Sequence, residues 1–304
     1  MFELMIVIIT MGAPDLDRME QAYSNSLNYQ VIDRGEIAPE LAAVWDAPRM
    51  AGRNFLLMQP ESKAPFYLRF VQVDSVAGYG PMKTFGWNAT EILVQDPDGL
   101  ARQFRENQAP FDIVGEPRPL SATSNIRAMQ VVGPADEVLY LTRIPPRPPD
   151  GSAAAGLTSA TTFVDRPFIV ILGGPDIEAM RTFYRDKFGF QVSAPGMARM
   201  TVLNKSHGFD IERTHPLAMA RVSPQLGIEL DGYPETATTR AQRYGELPPA
   251  QAILSFEVDS FDNFANTTLA PPRAILLMPY DGRSVAVVRG AAGELIELIK
   301  TRTE

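Results

Sequence analysis

The sequence predicts an α+β protein made of four strand-helix-strands units, two in each of two tandem halves. Two internal repeats support this prediction. Residues 13–29 (APDLDRMEQAYSNSLNY) recur as 174–190 (GPDIEAMRTFYRDKFGF), and the hairpin sequence at 129–142 recurs at 286–299. The stretch 146–165 is rich in Pro, Gly, Ala and Ser, as linkers are. We therefore divide the chain into an N-terminal half, 1–145, the linker 146–165 and a C-terminal half, 166–304.

Each half begins with the pattern of a strand followed by a helix. The apolar runs 5–11 and 168–172 are too short to span a membrane and predict strands. Asp15 and Asp176 follow at the position of a helix N-cap, where a carboxylate accepts from unpaired backbone N–H groups. Apolar residues then recur at helical spacing, and Gly189 is placed to end the second of these helices.

The remaining segments repeat the same order in both halves. The predicted strands lie at 54–59, 66–73, 90–95, 200–204, 209–213, 225–230 and 252–258. The predicted helices that follow two of these strands lie at 99–106 and 259–267. A final hairpin closes each half, the first of them turning at 133–136.

Composition excludes several classes of protein. The chain has 304 residues, 45% of them hydrophobic and 21% charged, as a globular protein does. Its net charge of −8 includes no basic stripe, which argues against a nucleic-acid or membrane partner. Without cysteine there are no disulfides and no thiolate sites. The first residues lack a basic leader and a cleavage pattern, so we expect a cytoplasmic location.

Two motifs resemble those of the vicinal oxygen chelate superfamily, the glyoxalase, bleomycin-resistance and extradiol-dioxygenase group. One is Pro-Asp-Ile opening a helix that ends in Phe-Tyr-x-x-x-x-Gly-Phe, at 175–190, and the other is Gly-Glu-Leu-Ile-Glu-Leu at 293–298. The resemblance covers nearly the whole chain. It implies four βαβββ modules whose curved mixed sheets enclose cups, one in each half, where a small molecule binds.

The resemblance also implies a divalent metal, held by histidine and carboxylate side chains on the first and last strands of paired modules. Here isoleucine stands where histidine is expected, at Ile8 (Met5 in another register), Ile92, Ile169 and Ile253. Glu297 matches the carboxylate position, its counterpart in the first half is Tyr140, and Glu91 would face a cup only after a one-residue shift. We therefore expect no metal cofactor. If the protein does hold a metal, the site is atypical and its ligands are Glu297 and Glu91.

The candidate catalytic residues are Glu297, His207 and His215. Burial in an apolar cup would prepare Glu297 for general acid or base work, and a histidine reaching over the cup would move protons at neutral pH. The alternative is that both histidines are exposed on loops around the predicted strand 209–213. The candidate substrate-binding residues are aromatic or cationic: Tyr67, Arg69, Trp87, Tyr140, Tyr280 and Arg283.

These observations leave three functions open. The first is a metal-independent isomerase or lyase that transfers protons on a small apolar or aromatic molecule. The second is a protein that binds and sequesters such a molecule, as resistance proteins of the superfamily do. The third is a metal-dependent glyoxalase or dioxygenase, against which the missing histidines argue. Two module pairs in one chain allow a monomer or a homodimer.

Overall fold

The computed structural model describes residues 5–120, 124–146 and 159–302. Most of the predicted linker 146–165 lies outside these described residues. Four modules follow one another along the chain, at 7–72, 86–143, 164–232 and 250–300. We call them modules one to four.

The bounds of the elements are as follows. Module one contains β1 (Val7–Ala13), α1 (Leu16–Leu27), β2 (Gln30–Glu36), α2 (Pro39–Val44), β3 (Asn54–Gln59) and β4 (Phe66–Gln72). Module two contains β5 (Gly86–Val94), α3 (Pro97–Glu106), β6 (Asp112–Pro119), β7 (Arg127–Val132) and β8 (Val138–Arg143). Module three contains β9 (Val164–Gly174), α4 (Ile177–Phe188), β10 (Gln191–Val192), β11 (Gly196–Arg199), α5 (Thr201–His207), β12 (Thr214–Ser223) and β13 (Leu226–Gly232). Module four contains β14 (Ala250–Val258), β15 (Arg273–Ala274), β16 (Ser284–Arg289) and β17 (Leu295–Lys300).

The strands form two mixed sheets, and each sheet takes one module from each half. In the described residues the first sheet has eight strands, in the order β15-β16-β17-β14-β1-β4-β3-β2. The second sheet runs β10-β12-β13-β9-β5-β8-β7-β6, with β11 beside β12. Module one therefore pairs with module four through antiparallel β1 and β14, and module two pairs with module three through antiparallel β5 and β9.

This pairing corrects the prediction of one cup inside each half. The sequence repeats define the order of elements within a module, because that order is set by local patterns of apolar residues and turns. They do not say which module supplies the neighbouring first strand, since all four first strands are apolar. The curved sheets and four modules are confirmed, but each cup lies between two halves of the chain.

The two repeated helices begin and end where the sequence predicts. Asp15 caps α1 by accepting from the backbone N–H of Arg18 at 2.9 Å. Asp176 caps α4 by accepting two backbone N–H groups, both at 3.0 Å. Gly189 ends α4 with a φ of 69°, in the left-handed region that glycine adopts without strain.

Four local predictions are wrong or incomplete. The predicted strand at 200–204 falls mostly in the helix α5, which Gly208 ends with a φ of 70°, in the left-handed region. The predicted strand at 209–213 is not a strand, and only a short 3₁₀ turn, Asp262–Phe264, stands in place of the predicted helix 259–267. The helix α2 falls in an Ala- and Pro-rich stretch to which the sequence pattern assigns no element.

One face of each sheet packs into a shared core with α1, α3 and α4. Apolar side chains of all four modules meet there, including Ile9, Trp87, Leu172 and Phe256. The opposite faces are the cup faces, and each has its own smaller apolar cluster. The alternation of side chains along each strand decides which residues reach a cup.

A repeated contact between tyrosine and glutamate connects the two modules of each half. The Tyr23 hydroxyl on α1 donates to Glu137 at 3.0 Å, and the Tyr184 hydroxyl on α4 donates to Glu294 at 2.8 Å. Each carboxylate also accepts the backbone N–H two residues before it, at 2.8 Å. Within each half, a Tyr–Glu contact thus connects one module to the next. Between the halves, the connection is made by the two sheets.

Among the described residues, the longest apolar helical stretch falls short of what a membrane-spanning helix requires.

Candidate functional site

The centre of each cup face is formed by the first and last strands of two modules. In the first sheet Thr10 lies opposite Arg69 and Ser255 lies opposite Glu297. In the second sheet Ile171 lies opposite Glu229 and Glu91 lies opposite Tyr140. We call these sets of four residues the first cup and the second cup. When the two sheets are compared by strand and register, Glu229 of the second cup occupies the position that Arg69 has in the first. Tyr140 of the second cup likewise occupies the position of Glu297.

The first cup contains a closed network of hydrogen bonds around Glu297. Its carboxylate accepts from Trp45 Nε1 at 2.6 Å, from the Tyr280 hydroxyl at 2.6 Å and from Arg69 Nη2 at 3.4 Å. Arg69 also donates to Thr10 Oγ1 through Nε at 2.9 Å and Nη2 at 2.7 Å, and through Nη1 to the Tyr280 hydroxyl. The carboxylate and the guanidinium are therefore each bound by several partners.

Residues outside the sheet cover this network. Trp45 directly follows α2, and Tyr280 lies in the loop before β16; the Arg69 guanidinium carbon is 4.8 Å from the centre of the Trp45 ring. Arg69 is 2% exposed and Glu297 is fully buried. Burial acts to lower the pKa of Arg69, but Tyr280 and Glu297 raise it, so the guanidinium stays charged. The first cup is filled by protein rather than open to a ligand.

The first cup does not fit a divalent metal. Glu297 is its one carboxylate, and the guanidinium of Arg69 already neutralises it. Thr10 and Ser255, rather than the predicted Ile8 and Ile253, are the central residues of the first strands, because they lie two positions further along the same strand faces. The hydroxyl of Ser255 is buried and has no hydrogen-bond partner among the described residues.

The second cup, in contrast, opens into a cavity of about 710 Å³. Glu91, Tyr140 and Glu229 line it, together with residues of β6, β7, α5 and β12. Glu91 thus faces a cup, as it would after the one-residue shift considered in the sequence analysis. Two cations stand at the margin: Arg199 is paired with Glu212 at 2.7 Å, and Arg118 Nη2 donates to Thr201 Oγ1 at 2.5 Å.

The acidic groups of the second cup have no cationic partner in the part of the chain that the structure describes. Thr142 donates to Glu91 at 3.0 Å, and this hydroxyl is a weak stabiliser of a partly buried charge. Burial raises the pKa of Glu91, and repulsion from Glu229 raises it further. Burial also raises the pKa of Glu229, although a hydrogen bond with Asp231 opposes that effect.

Asp231 extends this acidic group along β13. It lies two residues after Glu229 on the same strand face, and it is 2% exposed. Burial raises the pKa of Asp231 well above its usual range, as do the charge of Glu229 and the hydrogen bond to it. Asp231 therefore adds a third acidic side chain to this face of the second sheet, and its Oδ1 has no hydrogen-bond partner among the described residues.

The four central positions of the second cup offer two carboxylates, one phenol and one alkyl side chain. A tightly bound transition metal normally has three or four protein ligands. In the described parts of the chain no three acidic, histidine or cysteine side chains come together in a way that could hold an ion. The donor set therefore does not fit the metal that the fold implies.

The two histidines belong to module three and lie away from Glu297, His215 on the second sheet and His207 on the helix α5. His215 is buried on β12, where Nε2 is 2.7 Å from Asn204 Oδ1. His207 ends α5, with Nε2 3.0 Å from the carbonyl oxygen of Met82 and Nδ1 2.8 Å from Thr236 Oγ1. The pKa of each is lowered, chiefly by burial. Neither is an exposed loop residue. Neither joins Glu297 as a proton partner, because both belong to module three and Glu297 lies on β17 of the first sheet.

The other predicted binding residues separate into groups. Arg69, Tyr280 and Glu297 come together in the first cup, and Tyr140 lines the second. Trp87 is buried between the sheets and donates through Nε1 to the carbonyl oxygen of Leu295 at 2.7 Å.

Of two further predicted residues, Tyr67 lies on β4 of the first sheet and Arg283 directly precedes β16. Tyr67 is half-buried against the apolar cluster of the first cup face. Arg283 forms an ion pair with Glu257 at 3.6 Å and donates to nearby carbonyl oxygens. Neither residue faces the open cavity.

Glu229, Asp231 and Trp45 are the site residues that the sequence analysis misses. The signal for the two acids is present in the sequence GIELDG at 227–232, where Ile228 and Leu230 alternate with them. If the isoleucine and leucine enter the core, both acids must face the cup. For Trp45 no comparable signal exists, because it follows a short helix with no capping side chain.

A second cavity, of about 600 Å³, lies further along the same face of the second sheet. Ile169, Met219 and Gly227 are among its lining residues. Gly227 is two residues before Glu229 on the same face of β13, and Met219 lies opposite Glu229 on β12. An apolar surface therefore adjoins the two carboxyl groups.

Comparison with known proteins identifies relatives by structure alone. No protein-family model and no curated sequence matches the chain. Glyoxalase I from Zea mays is similar with a TM-score of 0.63 and 14% identity, over 96% of this chain and 91% of that one. A variant of that enzyme is similar with a TM-score of 0.64 and 16% identity, over the same shares of both chains. A putative dioxygenase from Bacillus subtilis is similar with a TM-score of 0.62 and 10% identity, over 99% of this chain and 86% of that one. These similarities confirm the fold.

Proposed function

Because the chain has the fold of the vicinal oxygen chelate superfamily, we propose that it is a metal-independent enzyme that transfers protons on a small, largely apolar molecule in the second cup. One observation carries the proposal: two carboxyl groups with raised pKa values, Glu91 and Glu229, line the same open cavity. Partly buried carboxyl groups whose pKa lies near neutral pH can both give and take protons.

The environments of the two groups suggest separate roles. The pKa of Glu91 is raised further, to about 8, because the negative charge of Glu229 disfavours ionisation of Glu91. Glu91 therefore holds a proton at neutral pH and acts as the acid. Glu229, whose pKa is raised less because a hydrogen bond with Asp231 acts to lower it, acts as the base. In an isomerisation, Glu229 accepts a proton from carbon, the C–H electron pair moves into the adjoining unsaturated system, and Glu91 donates its proton to a second atom. No oxidant or reductant is consumed.

The surroundings support a substrate with an apolar part. Tyr140 lies opposite Glu91 and offers a ring face and a hydroxyl at the same cavity. The cavity beside Ile169 and Met219 would hold the remaining apolar atoms, and burial of such surface is the usual source of affinity in small-molecule sites.

The test is exchange of substrate hydrogen with solvent. The protein is incubated in D₂O with a panel of small unsaturated, aromatic and carbonyl compounds, and the mass gain of each compound is followed. We expect exchange in at least one compound with the wild type. Glu91→Gln and Glu229→Gln should each slow it by about 100-fold or more, since each removes one proton carrier at constant volume.

Glu106→Gln is the matched control, because Glu106 is exposed at the end of α3. It should leave the exchange rate unchanged, and so should a chelator. Exchange that persists in both cup variants would rule out the proposed acid and base. Loss of exchange with the chelator would favour the metal-dependent alternative, and saturable binding without exchange in any compound would favour sequestration.

Two further expectations rest on the sequence alone and stay predictions. One is the cytoplasmic location, with which the absence of cysteine is compatible. The other is assembly as a monomer or homodimer.

A further inference from the structure

The first cup is distinct from the proposed active site, and its charges point to a separate kind of site. We infer that the first cup is a guanidinium-binding site, which the head group of Arg69 itself occupies in the wild type. Removal of this side chain should leave a site that takes a free alkylguanidinium ion.

Position is the first support. Arg69 comes from the last strand of module one and lies opposite Thr10 of the first strand. Glu297 and Ser255 are the corresponding residues of module four. The guanidinium thus reaches from β4 to the side chains of Thr10 on β1 and Glu297 on β17.

The second support is the set of contacts. The guanidinium donates to oxygen atoms of Thr10, Tyr280 and Glu297, and the aromatic rings of Trp45 and Tyr280 lie 4.8 and 5.6 Å from its central carbon. A planar cation with several N–H donors matches this arrangement of acceptors and ring faces. A spherical ion would lack the planar surface for the rings.

Charge balance is the third support. In the described structure, Arg69 is the one cationic side chain that pairs with the buried Glu297. The second cup shows the contrast, because Glu229 occupies the equivalent of Arg69 and the acids there have no internal cation. Truncation of Arg69 therefore leaves a buried negative charge beside an empty volume, which a cation of the same shape would fill.

The experiment is chemical rescue of Arg69→Ala in the full chain. We expect its melting temperature to lie well below that of the wild type. Saturating N-methylguanidinium at millimolar concentration should raise it by at least about 3 °C, as ligand binding to the folded state does. The fluorescence of Trp45, which donates to Glu297, should change with the same saturation curve.

Matched variants separate rescue from general salt effects. Arg69→Ala combined with Glu297→Gln should show no rescue, and neither should Arg69→Lys, because its own ammonium group excludes the ligand. Manganese chloride should not replace methylguanidinium. If Arg69→Ala does not fold alone, its yield on refolding from urea is measured with and without methylguanidinium.

Two results would overturn the inference. One is that methylguanidinium changes neither the melting temperature of Arg69→Ala nor, where that variant does not fold alone, its refolding yield. The other is an equal response in the double variant, which would show that Glu297 does not hold the cation. Either result leaves the proton-transfer proposal untouched, because that proposal depends on the other sheet.

Discussion

At the scale of single residues, two glycines are required by the Tyr–Glu contacts. A Cβ atom on Gly133 would lie 1.9 Å from Glu137 Oε1, and one on Gly290 would lie 1.9 Å from Glu294 Oε1. Each carboxylate would have to move away from its tyrosine, which is buried with it. The repeated glycine of the hairpin is therefore explained by side-chain space rather than by backbone freedom.

We predict that Gly133→Ala and Gly290→Ala each lower the free energy of unfolding by about 1 to 3 kcal/mol, the usual cost of leaving a buried polar group without a partner. The two sites lie in different halves, so their effects should add in the double variant. Urea denaturation measures this. Gly196→Ala is the control, because nothing lies within 4 Å of the added atom, and it should change stability by no more than about 0.5 kcal/mol.

The sequence predicts the identity of several cup residues but not their partners. Arg69, Tyr280 and Glu297 are all recognisable as candidates, yet a register error of two residues places Ile8 and Ile253 where Thr10 and Ser255 stand. Alternation tells which face a residue occupies and does not tell how far along the strand the cup begins. That distance depends on neighbouring strands distant in sequence.

At the scale of elements, the Tyr–Glu contacts join a helix to the hairpin of the next module and make that junction sensitive to pH. Burial raises the pKa of Glu137 and of Glu294 to about 7. The folded state therefore binds protons more tightly than the unfolded chain. The stability contributed by these carboxyl groups is complete below their unfolded pKa near 4.5 and is lost as pH rises through about 7.

We predict that the free energy of unfolding falls between about pH 5 and pH 8 by up to about 3 kcal/mol for each group. Other groups act on each carboxyl: Asp136 raises the pKa of Glu137, and Arg289 lowers that of Glu294. Denaturant titrations at several pH values should show a smaller fall in the double variant Glu137→Gln, Glu294→Gln. An identical fall in both proteins would show that other groups set the pH dependence.

Elements with strong local signals are the ones that the sequence predicts well. Helices α1 and α4 have capping aspartates and a clear apolar period, and both are confirmed. Helix α5 is mistaken for a strand because it has seven residues and no side chain that caps it. A segment of that length carries too few apolar residues to separate a period of 3.6 from one of 2.

At the scale of the whole molecule, neither half contains a complete sheet. The first strand of each N-terminal module, β1 or β5, pairs with a strand of the C-terminal half. A separated half would expose two apolar first strands at open sheet edges, which pair readily with other chains. The linker between halves thus connects two pieces that depend on each other.

We predict that fragments 1–158 and 159–304, expressed separately, associate. Each alone should form oligomers or aggregates, and an equimolar mixture should give one complex with the mass of the intact chain. Size-exclusion chromatography with light scattering measures the masses, and far-UV circular dichroism of the mixture should match the wild type. Two monomeric, folded fragments that ignore each other would contradict the pairing of the modules.

The pairing of module one with module four, and of module two with module three, also has a consequence for biosynthesis. The strands of modules two and three, the inner pair, are all translated once residue 232 leaves the ribosome, whereas module one must await the strands at 250–300. During that interval β1 has an unoccupied edge, and nascent strands in this condition are the ones that chaperones shield. The first part of the protein to be translated is therefore among the last to complete its sheet.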